Sequence, residues 1–182
     1  DDIARGNANA LAAQNVLLAR IDRLFAEAPG AIWKDRRNAR ALAVWALSGG
    51  NPRTLRRILT DGVIPEEDRA LLLGTLAYLE GRDSAARRHF DEIDPRALDA
   101  SLVGPVALAR AALAVADDPS TASGLLDRAR LASPGNLVEE AALRRAILIA
   151  AEAGDITRFE RLADQYLRRF RHSVYAGNFR AR

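Results

Sequence analysis

Apolar residues recur at intervals of three and four along almost the whole chain, and strand-like alternation bounded by turns is missing, so the pattern predicts an all-α protein. Leu11, Leu17, Leu18, Ile21, Leu24 and Phe25 form a first stripe that ends at Pro29-Gly30. Further stripes run over Arg37–Leu47, Arg53–Leu59, Glu66–Leu79, Ser84–Ile93, Leu102–Ala116, Ser120–Ala132, Leu137–Ala153 and Ile156–Phe170, about nine helices in all.

The residues between the stripes carry helix start and stop chemistry. Asn51-Pro52, Asp94-Pro95 and Asp118-Pro119 each offer an acceptor side chain at the N-cap and a proline at the first helical position, where a missing N–H costs nothing. Asn136 with Glu139 three residues on forms a loose capping box. Gly30, Gly81 and Gly154 sit where left-handed C-caps belong. Gly104-Pro105 leaves two options open: the sixth helix starts there, or it starts near Ser101 and bends.

Gly50, Gly81, Asp117 and Gly154 each separate two helical runs, at intervals of 31, 36 and 37 residues. That is close to the tetratricopeptide period of about 34. The second unit fits best, with Gly74 and Tyr78 on its first helix, Gly81 at the turn, Ala86 and Phe90 on its second helix and Pro95 beyond. Ala122, Leu126, Ala129 and Pro134 keep matching offsets in the third. The expected fold is therefore a set of tetratricopeptide-like helix hairpins forming a short right-handed solenoid, the alternative being an irregular helical bundle with a chance period. A single domain over 1–182 divides into a leading helix over about 1–30, helix pairs over 35–60, 66–95, 101–134 and 136–171, and a basic tail over 172–182.

Composition narrows the chemistry. The chain has 182 residues, enough for one core without disulfide or metal support, and no cysteine, which excludes thiol nucleophiles and cysteine-ligated zinc. His89 and His172 are the two imidazoles, and their spacing suggests no shared site. The carboxylate clusters Glu66-Glu67-Asp68, Asp117-Asp118 and Glu139-Glu140 lie at helix starts or turns, where the helix dipole favours them without any catalytic role. No cofactor or metal is expected. Methionine is absent, including at position 1, which suggests a trimmed mature segment, and no apolar run reaches the length of a membrane helix.

The net charge of +3 hides an asymmetry. Seven arginines against Glu160 and Asp164 give the last 25 residues +5, and the preceding 157 residues carry −2. Here Arg168, Arg169 and Arg171 interleave with Phe170, His172, Tyr175 and Phe179, the composition of contact surfaces. Arg168, Arg169, Phe170, Arg171, Tyr175, Asn178 and Phe179 are thus the candidate partner-binding or capping cluster. Confinement of the charge to one end argues against nucleic acid as the partner.

The same region carries a resemblance. Leu137-Val138-Glu139-Glu140-Ala141-Ala142-Leu143-Arg144-Arg145, followed by Tyr166-Leu167-Arg168-Arg169-Phe170-Arg171-His172-Ser173-Val174-Tyr175-Ala176-Gly177-Asn178-Phe179-Arg180, closely resembles the MotC motility proteins of alphaproteobacteria. Trp33-Lys34-Asp35-Arg36-Arg37-Asn38-Ala39-Arg40, Leu47-Ser48-Gly49-Gly50-Asn51-Pro52 and Ala77-Tyr78-Leu79-Glu80-Gly81-Arg82 are similar to the same family. The resemblance implies a periplasmic, non-enzymatic component of the flagellar motor that is needed for rotation and associates with the periplasmic part of the stator protein MotB. It also implies a secretion signal before this segment and further chain after it. The alternative is a superhelical accessory domain of a peptidoglycan-processing envelope protein.

Overall fold

A computed structural model of the chain describes Ile3 and residues 7–176, and among these lie nine α-helices, one short 3₁₀-helix and no strand. The α-helices are α1 (Ala8–Glu27), α2 (Arg36–Leu47), α3 (Pro52–Asp61), α4 (Glu66–Leu79), α5 (Asp83–Asp91), α6 (Ala100–Ala114), α7 (Pro119–Ala132), α8 (Leu137–Glu152) and α9 (Ile156–Phe170). Two anticipated starts hold as written. Asn51 accepts from Arg53 N at 3.0 Å with Pro52 opening α3, and Asp118 accepts from Thr121 N at 2.9 Å with Pro119 opening α7.

Two other expectations need correction. Asp94-Pro95 does not start a helix: Asp94 accepts from Arg96 N at 2.9 Å in a local turn, and α6 begins five residues later at Ala100. The reason is tertiary, because Arg40 of α2 donates to the Ala97 carbonyl at 3.1 Å and pairs with Asp99, which takes up the polar groups of the turn. Gly30 is not a left-handed cap. It opens the 3₁₀-helix Gly30–Lys34, which drops Trp33, 2% exposed, under the end of α1. There the Phe25 ring meets Trp33 and Trp45 edge-on, with both centroids 5.2 Å away. Of the two options at Gly104-Pro105, the earlier start is the one observed, with α6 running from Ala100 through Pro105.

The same turn chemistry closes three helices. Gly49, Gly81 and Gly154 have positive φ, and the residue after each donates to the carbonyl five positions back: Gly50 to Trp45, Arg82 to Ala77, Asp155 to Ala150. This is the Schellman motif, and it ends α2, α4 and α8 alike. Each of α4, α6 and α8 then packs on its successor, α5, α7 and α9, while α7 packs on α8 and α2 on α4. Close approach of α4 and α5 rests on Gly74, where a Cβ would lie 2.7 Å from the Phe90 ring.

Buried side chains fall into two apolar clusters that meet on α6. Leu102, Val106, Ala109 and Leu113 face the first, built from α2 to α5, and Ala107 and Ala111 face the second, built from α7 to α9. Apart from Ser101 at its start and Arg110, which reaches Asp91, α6 is apolar around its circumference, which is why it packs between both clusters. Two contacts join distant parts of the chain. α2 also packs on α6, and Ile3, 5% exposed, accepts a backbone hydrogen bond from Val174 N at 3.4 Å.

Candidate partner-binding site

Helical periodicity decides which way each member of the basic aromatic cluster points. Leu162, Tyr166 and Phe170 recur every four residues on α9 and are all buried. Phe170 therefore belongs to the second core cluster, tilted against Tyr166 with centroids 5.9 Å apart, and offers no surface to a partner. Arg169 sits beside that buried face. Its Nη2 lies 3.0 Å from Oε2 of Glu139, whose side chain is 2% exposed.

Glu139 and Glu140 are more than helix-dipole carboxylates. Glu139 accepts from Gly135 N, one residue further back than a standard capping box, and from Gln165 at 3.4 Å, besides its pair with Arg169. Glu140, 1% exposed, accepts from the Tyr166 hydroxyl at 3.1 Å. Buried carboxylates need donors, and those that reach Glu139 and one oxygen of Glu140 come largely from α9, so this polar seam orients α9 on α8.

The remaining members face out. Arg168 grips Asp164 with two hydrogen-bonding nitrogens, at 2.7 and 3.0 Å, on the open side of α9. Arg171 is exposed and donates from Nε to His172 Nε2 at 2.8 Å. Tyr175 is half-buried, and the Arg144 guanidinium lies over its ring, 5.1 Å from the centroid. The candidates Asn178 and Phe179 lie outside the described residues. Arg144 is the residue that the sequence argument missed: its signal was a stripe on α8, Ala141, Arg144, Arg145 and Leu148, whose spacing puts two bases and an apolar side chain on one face.

Among the described residues, no group of three or more histidine or carboxylate side chains is arranged to hold a metal, and no helix is long and apolar enough to cross a membrane.

The family model described as "Chemotaxis protein MotC" matches residues 1–182. The chain belongs to the MotC family. A curated relative, the chemotaxis protein MotC of Rhizobium meliloti (strain 1021), is 32% identical over 180 residues, which cover 98% of this chain and 41% of the relative. The chain thus spans about two fifths of the length of that MotC protein. No solved structure matches it. The segments on which the resemblance rested now have places: Trp33 and Arg40 in the first core and its ion pairs, Tyr78 and Gly81 at the α4–α5 turn, and Glu139, Tyr166 and Arg169 in the α8–α9 seam.

Proposed function

We propose that this chain is a non-enzymatic adaptor of the flagellar motor, working in the periplasm, that binds the periplasmic part of the stator protein MotB and so supports rotation. The observation that carries the reading is the MotC match over residues 1–182. The helix pairs are tetratricopeptide-like units in a short right-handed solenoid, a form that offers long binding faces without an enclosed active site. The shared Schellman turns at Gly49, Gly81 and Gly154 support this arrangement. α2 also touches α6, and Ile3 touches Val174, so in this reading the stack is short and curled.

Within the cluster at the chain's basic end, Arg168, Arg171 and Tyr175 are its contact residues, while Arg169 and Phe170 cap the stack. The test is co-purification of the chain with the periplasmic part of MotB, followed by calorimetry. The adaptor expectation is a Kd in the micromolar range or tighter, and absence of binding at roughly 100 μM of each protein would sink it.

A further inference from the structure

Most of the half-buried arginines in this protein already have a carboxylate. Arg40 has Asp68 and Asp99, Arg110 has Asp91, and Arg130 and Arg158 share Asp127. Arg144 on α8, also half-buried, breaks that pattern, and Arg145 stands beside it. Arg144 stacks on Tyr175 with no acid beside it, and Arg145, exposed, has no hydrogen bond or ion pair. Leu148, 46% exposed, lies one turn from Arg144 and Arg145 on the same face, and Glu152 follows one turn further on.

The other end of this stripe runs into a groove. Leu137, one turn before Ala141, lines a cavity of about 420 Å³ together with Ile3, with the amides Asn7, Asn9 and Gln14, and with Ala10, Ala13 and Leu17 of α1. The Ile3–Val174 hydrogen bond places Tyr175 next to that groove as well. None of residues 9–27 is buried, and Leu17 is 57% exposed, so α1 leaves apolar surface open along this path. Among the described residues, one face of the molecule therefore offers a groove of apolar side chains and amides without charge, then an arginine held on an aromatic ring, then a second arginine and a leucine.

We infer that an acidic amphipathic helix of a partner protein docks along α8, its apolar side in the groove between α1 and Leu137 and its carboxylates on Arg144 and Arg145. This deepens the adaptor reading, on which it rests for the partner being a protein. Charge complementarity selects the occupant: an incoming carboxylate meets two cations that no carboxylate among the described residues pairs with. Stacking on Tyr175 holds the Arg144 guanidinium in place before the partner arrives, which reduces the ordering lost on binding.

The test uses a synthetic amphipathic helix of about 18 residues, five turns, with leucines on one side and flanking glutamates, and a control with lysines in place of the glutamates. Titrated into the ¹⁵N-labelled chain, the acidic peptide shifts amides of residues 10–17, 137–148 and 175. Arg145→Glu and Leu148→Asp, both at exposed positions, each weaken it by about tenfold or more, while Arg161→Glu on α9 changes it by less than about twofold. Absence of binding, equal binding of the lysine peptide, or shifts that map elsewhere overturns the inference. So does concentration-dependent shifting of the same amides without peptide, which marks a contact between two copies. The periplasmic part of MotB is then titrated separately. Binding that the acidic peptide displaces supports both readings. MotB binding that is insensitive to the peptide and to Arg145→Glu overturns the docking surface alone, and failure of MotB to bind while the peptide does removes the adaptor reading and leaves the surface standing.

Discussion

The close crossing of α4 and α5 is the most exposed part of the packing argument, and one methyl group tests it. Gly74→Ala sets two effects of opposite sign against each other. In the middle of α4, alanine gains about 1 kcal/mol over glycine in intrinsic helix stability. Its Cβ, however, would stand 2.7 and 2.9 Å from two atoms of the Phe90 ring and 3.3 Å from His89 Cβ. Phe90 is fully buried, so its ring has no open space to swing into and the helices must move apart by several tenths of an ångström. Overpacking of this kind costs about 1–3 kcal/mol, which leaves a net loss of about 1 kcal/mol and a melting temperature about 2–4 °C lower. Phe90→Leu relieves the clash, and in that background the same substitution should become stabilising. Urea unfolding followed at 222 nm gives the four stabilities of the cycle, with a coupling energy of about 1–2 kcal/mol expected. Stabilisation by Gly74→Ala in the wild-type background, or additivity within about 0.5 kcal/mol, would refute the close crossing.

Asp68, buried at the start of α4, holds Arg36 and Arg40 of α2 at 3.1 and 3.0 Å; Arg40 keeps Asp99 when that carboxylate is lost, so Asp68→Ala should cost about 1–3 kcal/mol by chemical denaturation, and a loss under about 0.5 kcal/mol would show the pair to be incidental. Arg169→Ala uncovers the buried Glu139 and should lower stability by about 1–3 kcal/mol, while Arg168→Ala on the open side stays within about 0.5 kcal/mol; equal effects from the two would contradict the division of the cluster. Two carboxylates predict the acid response. Burial pushes Asp127 up, but hydrogen bonds from Arg130 and Arg158 outweigh it and hold the group below its ordinary range; Glu80, between Arg56 and Arg82, is lowered in the same way. A folded pKa below the unfolded one means stability that is fully present above about pH 4–5 and lost as the pH falls through the folded value, and Asp127→Asn should flatten that loss. An unchanged acid profile in Asp127→Asn, read by circular dichroism from pH 6 downwards, would remove Asp127 from the account.

The helices themselves were legible in the chain because their determinants are local. Apolar spacing located α2 to α9 to within about two residues and α1 less closely, and the acceptor-proline starts at Asn51 and Asp118 need only their own neighbours to work. The limit showed at Asp94-Pro95, where an identical signal produced a turn. The groups that decide it belong to Arg40, more than fifty residues away. Gly30 failed similarly, since a proline-glycine pair says that a helix stops but leaves open that Trp33 will fold beneath it.

The site divides along the same line. Sequence alone established a basic, aromatic end to the chain and the family to which it belongs. Charge counts treat every arginine as equal, and only the tertiary structure separates them, because a side chain's partners come from other helices. Glu139 and Glu140 sit at a helix start in the sequence, yet burial under α9 makes them the seam that fixes Tyr166 and Arg169. Phe170 turns inward because α9 presents that face to the second core, and Arg144 gains its place from Tyr175, thirty-one residues later in the chain. Local spacing determines which residues share a helix face, and the packing of helices decides which faces remain for a partner.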